Sequence, residues 1–250
     1  MKKAIRSFLI PFLCILYIPS LAASPTNADL ILEEAHLFGE SRFISMKAQM
    51  VIHTASGEKT RDIEVNISND EEQNKVYMHI ISPSFLRNMK FLQHNQKDGS
   101  TLQWIATSRG ARKITSSGTD ERIFDSDFTA ADFSAMDTKA YRIINFTETE
   151  KSNRLYYRYE LLSLNNSDSI TRKIVLLHYE TNLIYRVEYF SDNKMIKQYQ
   201  VVDTQSINGQ LFPEKSIMKN VITGSYTQLN FQQIEMPSSI PDRIFHYRNL

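Results

Sequence analysis

Cysteine is nearly absent: the 250-residue chain has one, Cys14, inside an apolar run near the N-terminus. Without that run no thiolate metal site, cysteine nucleophile or disulfide can form. Charge of one sign is also scarce. The formal net charge is +1, and loss of Lys2, Lys3 and Arg6 takes it to −2. A nucleic-acid partner calls for a concentrated positive surface, so none is expected. No Pro/Ser/Gly-rich linker, internal repeat or low-complexity block divides the chain, and a single domain is the simplest organisation. His36, His53, His79, His94, His178 and His246 are scattered and form no HExxH or other compact ligand set. Asp120, Asp125, Asp127 and Asp132 lack the Asp/Asn-Gly-Glu order of a calcium loop, and no Gly-x-Ser-x-Gly elbow or phosphate-binding loop accompanies them. No catalytic residue, metal or cofactor is expected, and the chain is not read as an enzyme.

What is present begins with Lys2, Lys3 and Arg6, an apolar run from Phe8 to Ile18, and Ser20-Leu21-Ala22-Ala23. That order is a secretory signal peptide over residues 1–23, leaving an exported, soluble domain over 24–250. The run is too short, and too interrupted by Pro11 and Pro19, for a membrane span. Phe12-Leu13 ahead of Cys14 lacks the small residue that precedes a lipid-modified cysteine, so a mature lipoprotein is not expected. A disulfide-free exported chain must be held by its core, and about 225 residues are enough to bury one.

Asn27 to Phe38 supports a helix with Asn27 as cap, Leu30, Leu32 and Ala35 inward, and Gly39 as terminator. Strands follow with a two-residue apolar period at Arg42–His53, Arg61–Ser68 and Lys75–Ile81, the last stopped by Pro83. Phe85, Leu86, Met89, Phe91 and Leu92 then crowd eight residues, as core or as cavity lining. A meander is expected from Lys139–Phe146, Arg154–Leu164, Ile170–Tyr179, Leu183–Phe190 and Lys194–Asp203. Phe212-Pro213 interrupts before Lys215–Ile222, and Tyr226–Ile234 is the last strand. Many hairpin-linked strands and few helices predict a mainly β (α+β) fold built on one large antiparallel sheet.

The least interchangeable stretch runs from Thr101 to Phe133. Leu102, Trp104 and Ala106 share one face of a strand, with Gln103 and Ile105 on the other. Ser108-Arg109-Gly110 turns the chain, Ala111–Thr115 returns, and Ser116-Ser117-Gly118 is polar. Asp125 to Phe133 reads as a loop and one helical turn capping a sheet, with Asp127 or Thr129 accepting N–H bonds and Phe128 and Phe133 pointing inward.

Trp104-Ile105-Ala106-Thr107-Ser108, the Arg-bearing turn, then Ser126-Asp127-Phe128-Thr129 followed by Asp132-Phe133 resemble the signature of periplasmic outer membrane lipoprotein-sorting proteins of the LolA-like superfamily. The larger branch of that family shows Trp-x-Tyr-x-Pro and Gly-Ser-Asp-Phe-Thr-Tyr-x-Asp-Leu. Asp125 stands at the Gly, Ala131 at the Tyr and Phe133 at the Leu. The closing segment Ile240–Leu250 is similar too, with Phe245 and Leu250 tucked against the core.

The resemblance implies a curved antiparallel sheet forming an incomplete barrel, closed by short helices around a hydrophobic cavity. It implies a periplasmic carrier that binds the acyl chains of lipoproteins or other lipids and moves them across the envelope, between an inner-membrane transporter and an outer-membrane acceptor. The lining candidates are Met78, Phe91, Leu102, Trp104, Tyr157 and Tyr159, although pattern alone cannot separate a cavity face from a filled core. Phe128 and Phe133 are candidates for a closing plug. Arg112 is the candidate for the arginine that holds such a cap, with Asp127 as ionic partner. The alternative is an envelope sensor or adaptor that binds an exporter or signalling partner through the same fold, with Tyr156, Arg158, Tyr185 and Tyr189 as candidates for its surface.

Overall fold

The computed structural model describes residues 27–70, 73–115, 120–134, 139–165 and 168–250. The expected signal peptide with Cys14, the Ser116-Ser117-Gly118 segment and parts of the turns at Asn69–Asn74 and Asn165–Asp168 lie outside those residues. Among them no helix is long and apolar enough to cross a membrane.

Helix α1 spans Asn27–Glu33. The strands are β1 Phe43–Thr54, β2 Gly57–Asn69, β3 Gln73–Ser82, β4 Lys90–Gln96, β5 Thr101–Thr107, β6 Gly110–Ile114 and β7 Tyr141–Lys151. They continue as β8 Arg154–Ser163, β9 Arg172–His178, β10 Ile184–Ser191, β11 Lys194–Ile207, β12 Gln210–Asn220 and β13 Tyr226–Glu235. All pair antiparallel in one curved 13-stranded sheet, ordered β6-β5-β4-β3-β2-β1-β13-β12-β11-β10-β9-β8-β7. The sheet is not closed: β6 and β7 are its two edges, so the barrel is an open one.

That order has a consequence for the signature segment. Every neighbour is sequential except β1 and β13, yet β6 and β7 are consecutive in the chain and sit at opposite edges. The connection between them must therefore cross the width of the sheet. It crosses the apolar face, where Phe124, Phe128 and Phe133 join one buried cluster with Met46, Met78 and Tyr159. Alternation produces this cluster. In β1, Ile44, Met46, Ala48, Met50 and Ile52 are all buried, while the intervening residues are half-buried or exposed.

The structure shortens the expected helix. After Glu33 the backbone of His36 is drawn into a parallel bridge beside Leu183: its N–H donates to Asn182 O (3.3 Å) and its carbonyl accepts from Ile184 N–H (2.8 Å). Those groups cannot also serve a helix. Ala28 and Leu32 form the buried line, and Leu30 is 48% exposed because so short a helix meets the sheet along a single i, i+4 stripe. Gly39 sits at φ +113°, and an added Cβ would lie 2.6 Å from the Phe212 ring. Phe212 and Pro213 do not break a strand but lie within β12. Pairing with β13 starts only at Lys215, so a residue without an N–H is tolerated before it. Phe245 is buried as expected, but against the outer face of the sheet. His94 Nε2–H donates to Phe245 O (2.8 Å), and Lys75 pairs with Asp242 (2.8 Å).

Candidate functional site: the concave face, its plug and a cavity beside it

The segment Asp120–Ser134 lies over the concave face as a plug, and polar side chains rising from the apolar sheet hold it there. From β2, Arg61 Nη2 donates to Asp125 Oδ2 (3.0 Å). From β5, Gln103 Nε2 donates to Ala130 O and to Gln93 Oε1, both at 2.6 Å. Gln93 of β4 in turn donates to Phe133 O. From β13, the Thr227 hydroxyl donates to Asp127 Oδ2 (2.9 Å) and accepts the Asp127 N–H (2.8 Å), and just before that strand Ser225 Oγ donates to Asp127 Oδ1 (2.6 Å). From β11, Lys197 forms a buried ion pair with Asp132. Asp132 also accepts the Thr129 N–H (2.6 Å), which stabilises the start of the 3-10 turn Ala130–Phe133. Five strands thus grip one segment through groups that would otherwise be costly to bury.

The aromatic rings complete the seal. Phe91 of β4 meets Phe133 at 5.6 Å, Phe133 stacks on Phe128 at 5.6 Å, and Phe128 meets Tyr199 of β11 edge-on at 6.2 Å. This chain of rings joins the two halves of the sheet across the plug. Burial pushes the Tyr199 and Tyr159 phenols well above their ordinary range. Tyr189 is pushed up by burial and by the nearby Asp132 carboxylate.

Beside the plug, a cavity of about 560 Å³ opens between the His36–Glu40 segment and the ends of β2, β3 and β4. Its floor is apolar: Ile67, Val76, Phe133, Ile184, Leu37 and Phe38. Glu33, Glu34, Glu40 and Asp70 stand at its rim. His36 lies in the wall as a neutral ring. Its Nδ1 accepts the Gly39 N–H (2.8 Å), so Nε2 carries the proton and donates to Thr181 O (2.8 Å). Burial lowers its pKa, against a weaker upward pull from Thr181 O and Glu40.

The residues singled out from sequence separate into groups. Met78 and Phe91 are cross-strand neighbours on the concave face, in one row with Met46 and Val65. Tyr159 faces the same interior and its hydroxyl donates to Ala28 O (3.0 Å), pinning α1. Tyr157 is on that face nearer the edge, half-buried against Tyr179 and Phe146. Phe128 and Phe133 lie in the plug. Leu102 and Trp104 do not join this group. Register pairs Phe91 with Ile105, which places Ile105 inside and its neighbour Trp104 outside. Trp104 stacks on Tyr247 of the C-terminal segment (5.7 Å) and meets His94 edge-on.

Two ionic expectations are corrected. Arg112 pairs with Glu121 at the exposed edge strand, and Asp127 is held by β13 with Arg122 at 3.5 Å. Arg112 thus meets the start of the plug at Glu121, and from β2 the buried Arg61, 4% exposed, reaches it at Asp125. The proposed surface of Tyr156, Arg158, Tyr185 and Tyr189 also dissolves: Tyr156 is 2% and Tyr189 6% exposed, on opposite faces of the sheet. Sequence reading passed over Arg61, Gln93, Gln103 and Lys197. Their signal was polarity at positions where the strand period calls for an apolar residue. Among the described residues, no group of three His, Cys, Asp or Glu is placed to hold a metal.

A family model described as "Uncharacterized protein" matches residues 72–250. No curated protein matches the sequence. Solved structures share the fold. A putative outer membrane lipoprotein-sorting protein domain from Vibrio parahaemolyticus superposes with TM-score 0.76 at 17% identity, over 88% of this chain and 95% of that one. A DUF1329 family protein from Desulfovibrio piger gives 0.74 at 16% identity, over 83% and 91%. A LolA superfamily protein from Nitrosomonas europaea gives 0.67 at 17% identity, over 90% and 100%.

Proposed function

The chain belongs to the family described as "Uncharacterized protein", and we propose that it is a periplasmic carrier. It takes acyl chains of lipoproteins or other lipids into the concave apolar space and moves them across the cell envelope, from an inner-membrane transporter to an outer-membrane acceptor. The observation that carries this reading is the cavity of about 560 Å³, whose apolar floor runs up to the plug residue Phe133. A volume of this size is ordinary for a small-molecule site. Each acyl methylene taken out of water contributes about 0.8 kcal/mol, so a chain of several offsets the displacement of a few plug contacts. Fold likeness to a lipoprotein-sorting domain and to a LolA superfamily protein supports the reading at the level of architecture.

In this reading residues 24–250 act as one domain, exported by residues 1–23. Met78, Phe91 and Tyr159 floor the space, Tyr157 lies toward its edge, and Phe128 and Phe133 are the plug that a bound chain displaces. Arg61 takes the part that the resemblance gave to Arg112. Native mass spectrometry of the mature protein, purified from its own periplasm without detergent, tests the proposal. A diacyl or triacyl species bound one to one is expected. A ligand-free protein that instead recovers a membrane-protein partner would overturn the carrier reading in favour of a sensor or adaptor.

A further inference from the structure

Arg61 is 4% exposed, and its guanidinium spends only Nη2, on Asp125 Oδ2 at 3.0 Å. Among the described residues neither its Nε nor its Nη1 has a hydrogen-bond partner. Burial pulls the pKa of the group down and Asp125 offsets only part of that, yet a guanidinium keeps its charge. A buried cation with open donors calls for a further anionic oxygen. Its one partner is itself unusual. The Asp125 side chain is 70% exposed, so its carboxylate stands at the mouth of the concave space, while the preceding Phe124 is fully buried. Phe124 and Asp125 both hold left-handed backbone, at φ 55° and 54°, which a residue as bulky as phenylalanine adopts only at a cost. The turn thus presents an apolar group inside and a carboxylate at the rim, the two ends of an anionic amphiphile. Asp127, the next carboxylate along the plug, is already held by Thr227, Ser225 and Arg122. From Arg61 the inward row of β2 continues through the buried Ile63, Val65 and Ile67, and Ile67 lies in the floor of the cavity.

We propose that Arg61 receives the anionic head group of the cargo, a carboxylate or phosphate on an acyl or alkyl chain, and that Phe124-Asp125 is a built-in stand-in which the cargo displaces. The entering oxygens take the place of the Asp125 carboxylate and fill the open donors of the guanidinium, whose planar fork suits a bidentate anion. The chain follows the β2 row beneath the plug toward the cavity, and the displaced turn is released from its strained backbone. This rests on the carrier reading and names the head-group charge of its cargo.

Dodecanoate, dodecyl phosphate, dodecanol and dodecylamine share a chain and differ in head group. Each would be titrated at pH 7 against the mature protein by displacement of a fluorescent fatty alcohol below its micellar concentration. The acid and the phosphate are each expected to bind about 10-fold tighter than the alcohol, and the amine more weakly than the alcohol. Inorganic phosphate, with no chain to bury, should compete at least about 100-fold more weakly than dodecyl phosphate. In Arg61→Gln the preference for anion over alcohol should fall to about 2-fold or less. Asp125→Asn removes the competing carboxylate and should widen that preference several-fold, whereas a merely structural ion pair would leave it unchanged. Because that variant alters an exposed side chain with little change of shape, it decides the matter even where Arg61→Gln does not fold. If dodecanol binds but the anions are no tighter, if their preference survives Arg61→Gln, or if it is unchanged in Asp125→Asn, the head-group proposal is overturned while the carrier reading stands. Inorganic phosphate competing as well as dodecyl phosphate would make Arg61 a site for a free anion and overturn it likewise. If none of the chain-bearing probes binds, the carrier reading itself fails, and this proposal with it.

Discussion

Replacing Lys197 by Met tests whether the plug is held by its buried ion pair. The Lys197 side chain is 11% exposed and that of Asp132 is 2%. Removing one member of such a pair typically costs about 3–5 kcal/mol, because the other charge stays buried and unpaired. Asp132 keeps two acceptor bonds, from the Thr129 N–H (2.6 Å) and the Thr129 hydroxyl (3.0 Å), and these soften the loss. The expected destabilisation is therefore about 2–4 kcal/mol. Asp132→Asn should cost less, about 1–3 kcal/mol, since the lysine ammonium retains the Thr129 hydroxyl at 3.3 Å and the Tyr189 ring at 5.3 Å. The double variant should fall short of the sum by about 1–3 kcal/mol, the coupling of directly bonded neighbours. Urea unfolding followed by the fluorescence of the single tryptophan, Trp104, reads all three. A Lys197→Met protein within about 0.5 kcal/mol of the parent, or a strictly additive double variant, would refute the idea that this pair anchors the plug.

Arg61 and Arg112 make contrasting predictions for ligand retention. Arg61→Leu removes a buried contact to the plug and should speed release of a bound lipid several-fold, whereas Arg112→Leu, which removes an exposed pair with Glu121, should leave release unchanged within about 2-fold. Stopped-flow dilution of a preloaded fluorescent lipid checks both, and equal effects would remove Arg61 from its assigned role. His36 predicts a pH dependence. Its folded pKa is below its ordinary 6.5, so the unfolded chain binds the proton more readily; stability is full above that value and is lost as pH falls from 6.5 through the depressed folded value. Unfolding free energies of the parent and His36→Gln measured from pH 7.5 to 4.5 should converge as the pH falls, and parallel curves would contradict the assignment. Gly39→Ala should destabilise by about 2–4 kcal/mol, because it combines an unfavourable backbone angle with a clash against Phe212, and calorimetry would register it as a clear drop in Tm.

Much of this protein can be read along the chain. The period-two runs in β1, β2 and β3 follow from side chains that alternate between an apolar face and a wetter one, and the structure finds those strands within one to four residues of their expected ends. Asn208-Gly209, at φ 51° and 80°, turns the chain because few other residue pairs accept those angles. The Asp125–Phe133 stretch announces a cap on a sheet because short polar residues flank two phenylalanines, and the structure buries both rings at 3% and 5% exposure.

What a strand's own sequence determined was parity, and what the tertiary structure decided was which parity faces inward. Leu102 and Trp104 alternate with Gln103 and Ile105 on either assignment, and the apolar residues looked like the inner set. Register with β4 reverses this: Gln93 and Gln103 are inside because they bind plug carbonyls, and Trp104 is outside because the C-terminal Tyr247 covers it. The buried arginine beneath the plug could not be chosen from proximity in sequence either. Arg112 is near the signature along the chain, but Arg61 is near it in space, since the β6–β7 connection must cross the sheet between its two edges. The cavity likewise belongs to no single segment. It exists because His36 is pulled into the sheet beside Leu183, which leaves room between that segment and the ends of β2 to β4. Local chemistry sets strands, turns and the capping signature, whereas contacts between residues far apart in sequence set the inner face, the latch and the binding space.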